Sequence, residues 1–480
     1  MNDHLKSKTI SGFKWNGIST GSSTILHFIT LAVIARYLSP SEFGIMGMLL
    51  VIISFAQIFI DTGMSAAIIH KHEVPKAHLS SLFWINILMG ILLFGGILFI
   101  RPLAAFHFRQ PDLPAYLFYV AFLFLITPTS QIFHTLLRKE LDFKLLSIIE
   151  IVGTLAYSIS AVSLVMANFG VYSLIFGQLI KSICVVSIFI FVFRKTWLPA
   201  FHFNFNEIRG YLSFGAFQLG ERIINYFYVN IDKIIIGRYL DLEALGFYTL
   251  AHQIVIFPLA KILPVITSVA FPAFSKIKDQ NSAIRKGYGK IINFISFLMF
   301  PMMMGMLAVA PEFIRSIYSE KWGPSIPVLQ VFCVIGIFWS LGHPIGTVLL
   351  AKGRADIGFF LNLIISLLAT GAILLGVNWG ITGVAAGILI IQLPLFIAVL
   401  PVLKRLIGLR MADYLFAVKT PLIFSLIMAA GILLAKFVLN IHDTVQLCIS
   451  IILGTAVYFL LYYLFNKKAL VEFKSMFQNK

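Results

Sequence analysis

Charge and cysteine are both scarce in this sequence, and each scarcity excludes a class of protein. Charged residues make up only 12% of the 480 positions, about half the share of a soluble globular domain. Hydrophobic residues reach 59% and mean hydropathy is +0.93, so the class expected is an integral membrane protein and not a soluble enzyme. The three cysteines, Cys184, Cys333 and Cys448, fall inside apolar runs and share no pairing or metal-ligand spacing. They read as packing residues, which removes a disulfide framework and a metal site from consideration; no cofactor is expected either.

What is there instead is a succession of apolar runs near the length of about 20 residues that crosses a bilayer. They cover 15–37, 43–66, 79–100, 116–137, 145–168, 172–193, 210–238, 247–271, 291–310, 326–351, 359–377, 381–403, 415–437 and 445–465. The expectation is an all-α polytopic protein of about fourteen transmembrane helices. The first run is too long for a signal-peptide core and lacks a cleavage site after it, so it stays as a helix. An even count puts both termini on one side of the membrane.

Lysine and arginine choose the side, because cytoplasmic loops are enriched in them. With an internal N-terminus the inner segments collect Lys71, Lys76, Arg138, Lys139, Arg194, Lys195, Lys276, Lys278, Arg285, Lys352, Lys404 and Arg405, among others, whereas the outer segments are sparse. Both termini are therefore expected in the cytoplasm. The same bias accounts for most of the net charge of +17, which is topology and contact with anionic headgroups and no sign of nucleic-acid binding. The longest outer connections, 101–115 and 311–325, hold Arg109, Asp112, Glu312, Arg315, Glu320 and Lys321 in no recognised catalytic spacing. No catalytic residue is assigned, and a membrane enzyme is a weaker reading on that ground.

A duplication is visible in the chain. Arg36-Tyr37-Leu38 followed by Gly44 recurs as Arg238-Tyr239-Leu240 followed by Gly246, at a constant offset of 202 residues. Each copy closes one apolar run and opens the next in the same direction, as in transporters built from parallel repeats. The organisation that follows is a six-helix lobe at 1–193, a cytoplasmic link at 194–209, a second six-helix lobe at 210–404, and two further helices with a tail at 405–480. The link alternates Phe201, Phe203 and Phe205 with polar residues, which suits an amphipathic surface segment or a plain loop.

Run 210–238 is unusual in carrying Glu221, Arg222, Asp232 and Lys233. An ionised side chain at the centre of a membrane helix costs at least about 2.5 kcal/mol, so four on one helix imply a polar path or ion pairs turned away from lipid. At 100° per residue Glu221, Asn225, Tyr228 and Asp232 share one side, with Arg222 and Lys233 on an adjacent one. Arg222, Lys181, Lys261 and Lys233 could hold a diphosphate, the guanidinium through its planar fork and the ammonium groups as compact charges. Equally, Glu221, Asp232 and Asp61 could neutralise those cations as an internal ion-pair set. A partly desolvated carboxylate can also exchange a proton near neutral pH, so Asp61, Glu221 and Asp232 are the candidates for coupling to H⁺ or Na⁺. Asn225, Tyr228, Tyr226 and Gln218 add amide and phenol groups to the same run. Glu150 and Lys419 read as snorkelling residues near helix ends, and His252 as a packing group.

The run Asp232-Lys233-Ile234-Ile235-Ile236-Gly237-Arg238-Tyr239-Leu240, then Leu245-Gly246-Phe247-Tyr248 and Phe271-Pro272-Ala273-Phe274-Ser275, resembles the polysaccharide-exporter branch of the MOP flippase superfamily. Leu38-Ser39-Pro40, Phe43-Gly44 and Asp61-Thr62-Gly63 look like its N-terminal signature, and the resemblance extends over nearly the whole chain. It is similar to Wzx-type and colanic-acid or teichuronic-acid exporters. The resemblance implies two six-helix lobes around a cationic central cavity plus two added helices. It implies, too, flipping of an undecaprenyl-diphosphate-linked glycan across the bacterial cytoplasmic membrane, among membrane lipids and beside polysaccharide polymerase or export machinery, with Asn225, Tyr228, Tyr226 and Gln218 giving the sugars amide and aromatic contacts; an enzyme polymerising such lipid-linked glycans is a weaker reading. A multidrug or cation antiporter of the same superfamily is the nearest alternative; its cavity should favour acids over bases, and here bases are at least as frequent.

Overall fold

The computed structural model describes residues 3–60, 65, 68–69, 74–439 and 441–471; the side chains of 3–14, 16, 18, 206, 209–210, 212–219, 221, 228 and 355 lie outside that description. Among the described residues there are fourteen α-helices of at least 21 residues and no strand. They are α1 (Asp3–Tyr37), α2 (Pro40–Ile60), α3 (Lys76–Phe108), α4 (Leu113–Lys139), α5 (Phe143–Met166), α6 (Tyr172–Phe193) and α7 (Phe205–Tyr239), then α8 (Leu242–Lys276), α9 (Asn281–Phe313), α10 (Ser325–Ala351), α11 (Ala355–Gly376), α12 (Gly380–Ile407), α13 (Met411–Val438) and α14 (Asp443–Phe465).

Eleven stretches among the described residues are long and apolar enough to cross a membrane. Two of the remaining differences from fourteen have a reason in the sequence: α11 and α12 are counted together as one apolar stretch, and α7 carries Glu221, Arg222, Asp232 and Lys233, while much of the first half of α1 lies outside the described side chains. The break between α11 and α12 is a single 3₁₀ turn, Val377–Trp379, ending at Gly380 with φ +72°. There Gly376 and Gly383 pack backbone to backbone, each where a Cβ would collide with the other's carbonyl.

The chain forms two compact units, Met1–Gly246 and Phe247–Lys480. In the first, α3 and α4 pair closely, with Gly90 of α3 against the Phe124 carbonyl and Pro128. α6 packs on α4 and α5, and α1 on α5, where the Thr30 hydroxyl donates to Ser158 Oγ at 2.7 Å. α7 packs on α2 and α3. An aromatic core of Phe133, Phe189, Phe193, Trp197 and Tyr211 closes the end where the link begins.

In the second unit α9 is the common support, packing on α10, α12, α13 and α14. Asn293 Nδ2 donates to the Ala417 carbonyl at 2.6 Å and the Tyr458 hydroxyl to the Phe297 carbonyl at 2.9 Å, joining α9 to α13 and α14. A buried ion pair adds to this: Lys436 Nζ of α13 lies 2.7 Å from Glu312 Oε1 of α9 and donates to the Ala308 carbonyl at 2.9 Å. His252 of α8 is buried among Tyr248, Phe332 and Trp339, the packing role its sequence context suggests. Cys333 is buried and Cys184 half-buried, but Cys448 is exposed on α14 and packs no core.

Candidate functional site

α7 is the helix whose composition sets it apart. It begins in the link at Phe205, with Glu207 in the first turn, and its last turn carries Arg238, whose guanidinium donates to the His107 carbonyl at 3.0 Å. One face is committed to packing. Tyr226 is buried, its hydroxyl donating to the Val51 carbonyl of α2 at 2.6 Å, and its ring lies 5.1 Å from that of Phe55. Gly237 lies where α7 packs against α3 and α2, a Cβ there reaching 3.0 Å from the Phe108 ring and 3.3 Å from Met48. Tyr226 is therefore spent on holding α7 to α2, which corrects its assignment as a sugar contact.

The polar stripe lies on another face and changes character along it. Asn225 and Val229 are exposed and Arg222 is half-buried. Two turns beyond Asn225, about 10 Å along the axis, Asp232 on the same side is buried at 6% exposure. One Asp232 carboxylate oxygen accepts the Lys233 backbone N–H at 2.7 Å, and Lys233 Nζ reaches Asn230 Oδ1 at 3.5 Å. Arg222 and Asp232 are both engaged by neighbours. A buried carboxylate and half-buried cations thus share one helix that also presents an uncovered amide. In a hydrocarbon setting such groups are tolerated only where they are hydrogen-bonded or screened from lipid.

The remaining sequence candidates are placed as follows. Lys181 of α6 is half-buried and engaged by neighbours, its stem 3.6 Å from the position a Cβ would take on Gly153 of α5. Lys261 is half-buried on α8 in the second unit, between Pro258 and Pro264 inside that helix. Asp61 lies outside the described residues, and so do the side chains of Glu221, Tyr228 and Gln218. The structure thus brings together on α7 Arg222, Asn225, Asp232 and Lys233. Among the described residues no group of three or more His, Cys, Asp or Glu side chains could hold a metal ion.

Sequence reasoning missed two constellations. The Lys436–Glu312 pair was hidden because Glu312 reads as a residue of an outer loop, whereas α9 continues through it into a π-helical turn, Ile314–Tyr318. The other is the row Ser80, Ser81 and Trp84 on α3, which holds the link; their side chains bond to Ala200, Asn204 and Glu207. Its signal would have been polar residues in the first turns of a helix otherwise apolar.

These features define a multi-pass, all-helical membrane protein with a charged helix held inside its first unit. Its fold is that of a solved lipid II flippase, MurJ in an inward closed conformation, with a TM-score of 0.78 at 16% identity over 95% of this chain and 99% of that one. The chain belongs to the polysaccharide biosynthesis protein family, whose model matches residues 33–327. It is 34% identical to the teichuronic acid biosynthesis protein TuaB of Bacillus subtilis (strain 168), over 95% of each chain. To the lipopolysaccharide biosynthesis protein WzxC of Escherichia coli (strain K12) it is 32% identical, over 88% of this chain and 86% of that one.

Proposed function

We propose that this protein flips an undecaprenyl-diphosphate-linked oligosaccharide across the bacterial cytoplasmic membrane by alternating access. The observation that carries the reading is α7. In a chain with 12% charged residues, this helix holds Arg222, Lys233 and the buried Asp232 beside the exposed Asn225. A diphosphate headgroup needs fixed cations to replace its hydration, and the sugars need amide contacts, while the lipid tail stays in the bilayer. Family membership and the MurJ-like fold support a lipid-linked substrate. In this reading Arg222, Lys181, Lys261 and Lys233 serve the diphosphate, Asn225 and Tyr228 the sugars, and Asp61, Glu221 and Asp232 couple the cycle to H⁺ or Na⁺.

The domain reading that accompanies it takes 1–193 and 210–404 as the two repeated six-helix lobes, 194–209 as their link, and 405–480 as two added helices and tail. With about fourteen crossings, the basic inner loops put both termini in the cytoplasm.

The test is reconstitution of the full chain in proteoliposomes loaded with a fluorescent polyprenyl-diphosphate oligosaccharide. The protein should expose lipid-linked glycan to an external lectin or glycosidase faster than empty vesicles, with no effect on efflux of a cationic dye. Dye efflux without glycan flipping would overturn the proposal in favour of a drug antiporter. Neither activity, in protein that remains monodisperse, would also contradict it.

A further inference from the structure

The link between α6 and α7 has a construction that flipping does not require. Residues 198–204 form no helix, yet their backbone is tied to the first three turns of α3. The Ser80 hydroxyl accepts the Ala200 N–H at 3.1 Å, and Trp84 Nε1 donates to the Ala200 carbonyl at 2.8 Å. Ser81 Oγ accepts the Asn204 N–H at 3.1 Å while donating to Glu207 Oε2 at 3.1 Å. At the head of the strap, Lys76 Nζ donates to the Thr196 carbonyl at 3.4 Å.

This geometry sets a depth. Trp84 lies eight residues beyond Lys76, about 12 Å along α3, and the Phe201 ring stacks on its indole at 5.2 Å between centroids. The strap therefore dips below the basic row formed by Lys76, Arg194 and Lys195. Irregular backbone at that depth is tolerable only where protein groups satisfy its polar atoms, which Ser80, Ser81 and Trp84 do. On the other side the strap turns apolar groups outward: Phe201 is 97% exposed, Phe205 55% and Phe203 53%. Phe191 near the end of α6 is 61% exposed as well, with the Arg194 guanidinium 4.0 Å over its ring.

We propose that 198–205 is a membrane-interface anchor, seating Phe201 and Phe203 at the boundary between headgroups and acyl chains of a monolayer containing anionic lipid. Aromatic rings below and cations above match the two layers of such an interface. The inference rests on the chain being a membrane protein and is independent of what it transports.

It is tested with full-length protein carrying Ser at Cys184, Cys333 and Cys448, reconstituted in vesicles of 3:1 phosphatidylcholine and phosphatidylglycerol. Phe201→Cys and, as a water-side control, Lys195→Cys are spin-labelled, and accessibility to oxygen and to a water-soluble nickel chelate is measured. The label at 201 should favour oxygen over nickel several-fold, with the reverse at 195. Replacing the anionic lipid with phosphatidylcholine should shift 201 toward nickel. Equal nickel access at both sites would overturn the proposal, as would shielding of 201 from both reagents, which would mean a protein covers it. If Phe201→Cys is not monodisperse, Phe203→Cys makes the same comparison.

Discussion

Gly44 and Gly246 face each other backbone to backbone: a Cβ on Gly246 would lie 3.1 Å from the Gly44 nitrogen and would collide with the Pro40 carbonyl. A Cβ on Gly44 would in turn collide with the Leu242 carbonyl. At the offset of 202 residues Leu242 corresponds to Pro40 and Gly246 to Gly44. The contact is thus reciprocal, the pattern of a two-fold interface made here by two copies of one motif in a single chain.

Gly44→Ala and Gly246→Ala should each destabilise the protein by about 1–3 kcal/mol, because a methyl group at either site must push backbone aside. Once one substitution has separated the helix ends, the other costs less. The double variant should therefore fall short of the sum by at least about 0.5 kcal/mol. Thermal denaturation in detergent measures this, and strict additivity would show that the two glycines do not share a contact.

The Lys436–Glu312 pair fixes α13 to α9 with side chains only 16% and 8% exposed. Glu312→Gln leaves an ammonium group buried without its countercharge and should cost about 3–5 kcal/mol. Glu312→Leu combined with Lys436→Met removes both charges and should recover most of that loss. The check is the melting temperature of the three variants beside wild type; a double variant as unstable as the single would refute the pairing argument.

Acidification should release the link. Partial burial opposes ionisation of Glu207, but hydrogen bonds from His202 and Ser81 outweigh it and hold the carboxyl below the usual glutamate range. A group with a depressed value stabilises the fold above its ordinary titration range, and that stabilisation is lost as pH falls through the depressed value. Protease cleavage in 195–204, or amide exchange at Asn204, should quicken only below about pH 4.5. Ser81→Ala should give faster exchange at Asn204 already at neutral pH, since it removes the acceptor of that N–H.

Much of the architecture was legible because hydrocarbon imposes a length and a composition on every crossing. The apolar runs marked the helices. Less legible was how polar groups are used. Tyr226 and Asn225 are neighbours in sequence, and only the packing of α7 on α2 shows that one is buried and the other open. The link read equally as an amphipathic surface segment or a loop, because alternation of phenylalanines with polar residues does not reveal that Ser80, Ser81 and Trp84, over a hundred residues earlier, satisfy its backbone. Glu312 was placed in an outer connection because the apolar run 291–310 ends before it, whereas the helix runs on through Pro311 and Glu312.

The most direct test of the account is the flipping rate of Arg222→Ala and Arg222→Lys in proteoliposomes supplied with polyprenyl-diphosphate oligosaccharide. A charge-assisted hydrogen bond to a phosphate is worth about 1.5–3 kcal/mol, so Arg222→Ala should slow flipping by about 10-fold to 100-fold while Arg222→Lys keeps an intermediate rate. A wild-type rate in Arg222→Ala, in protein of unchanged thermal stability, would contradict the claim that α7 presents its cation to the lipid headgroup.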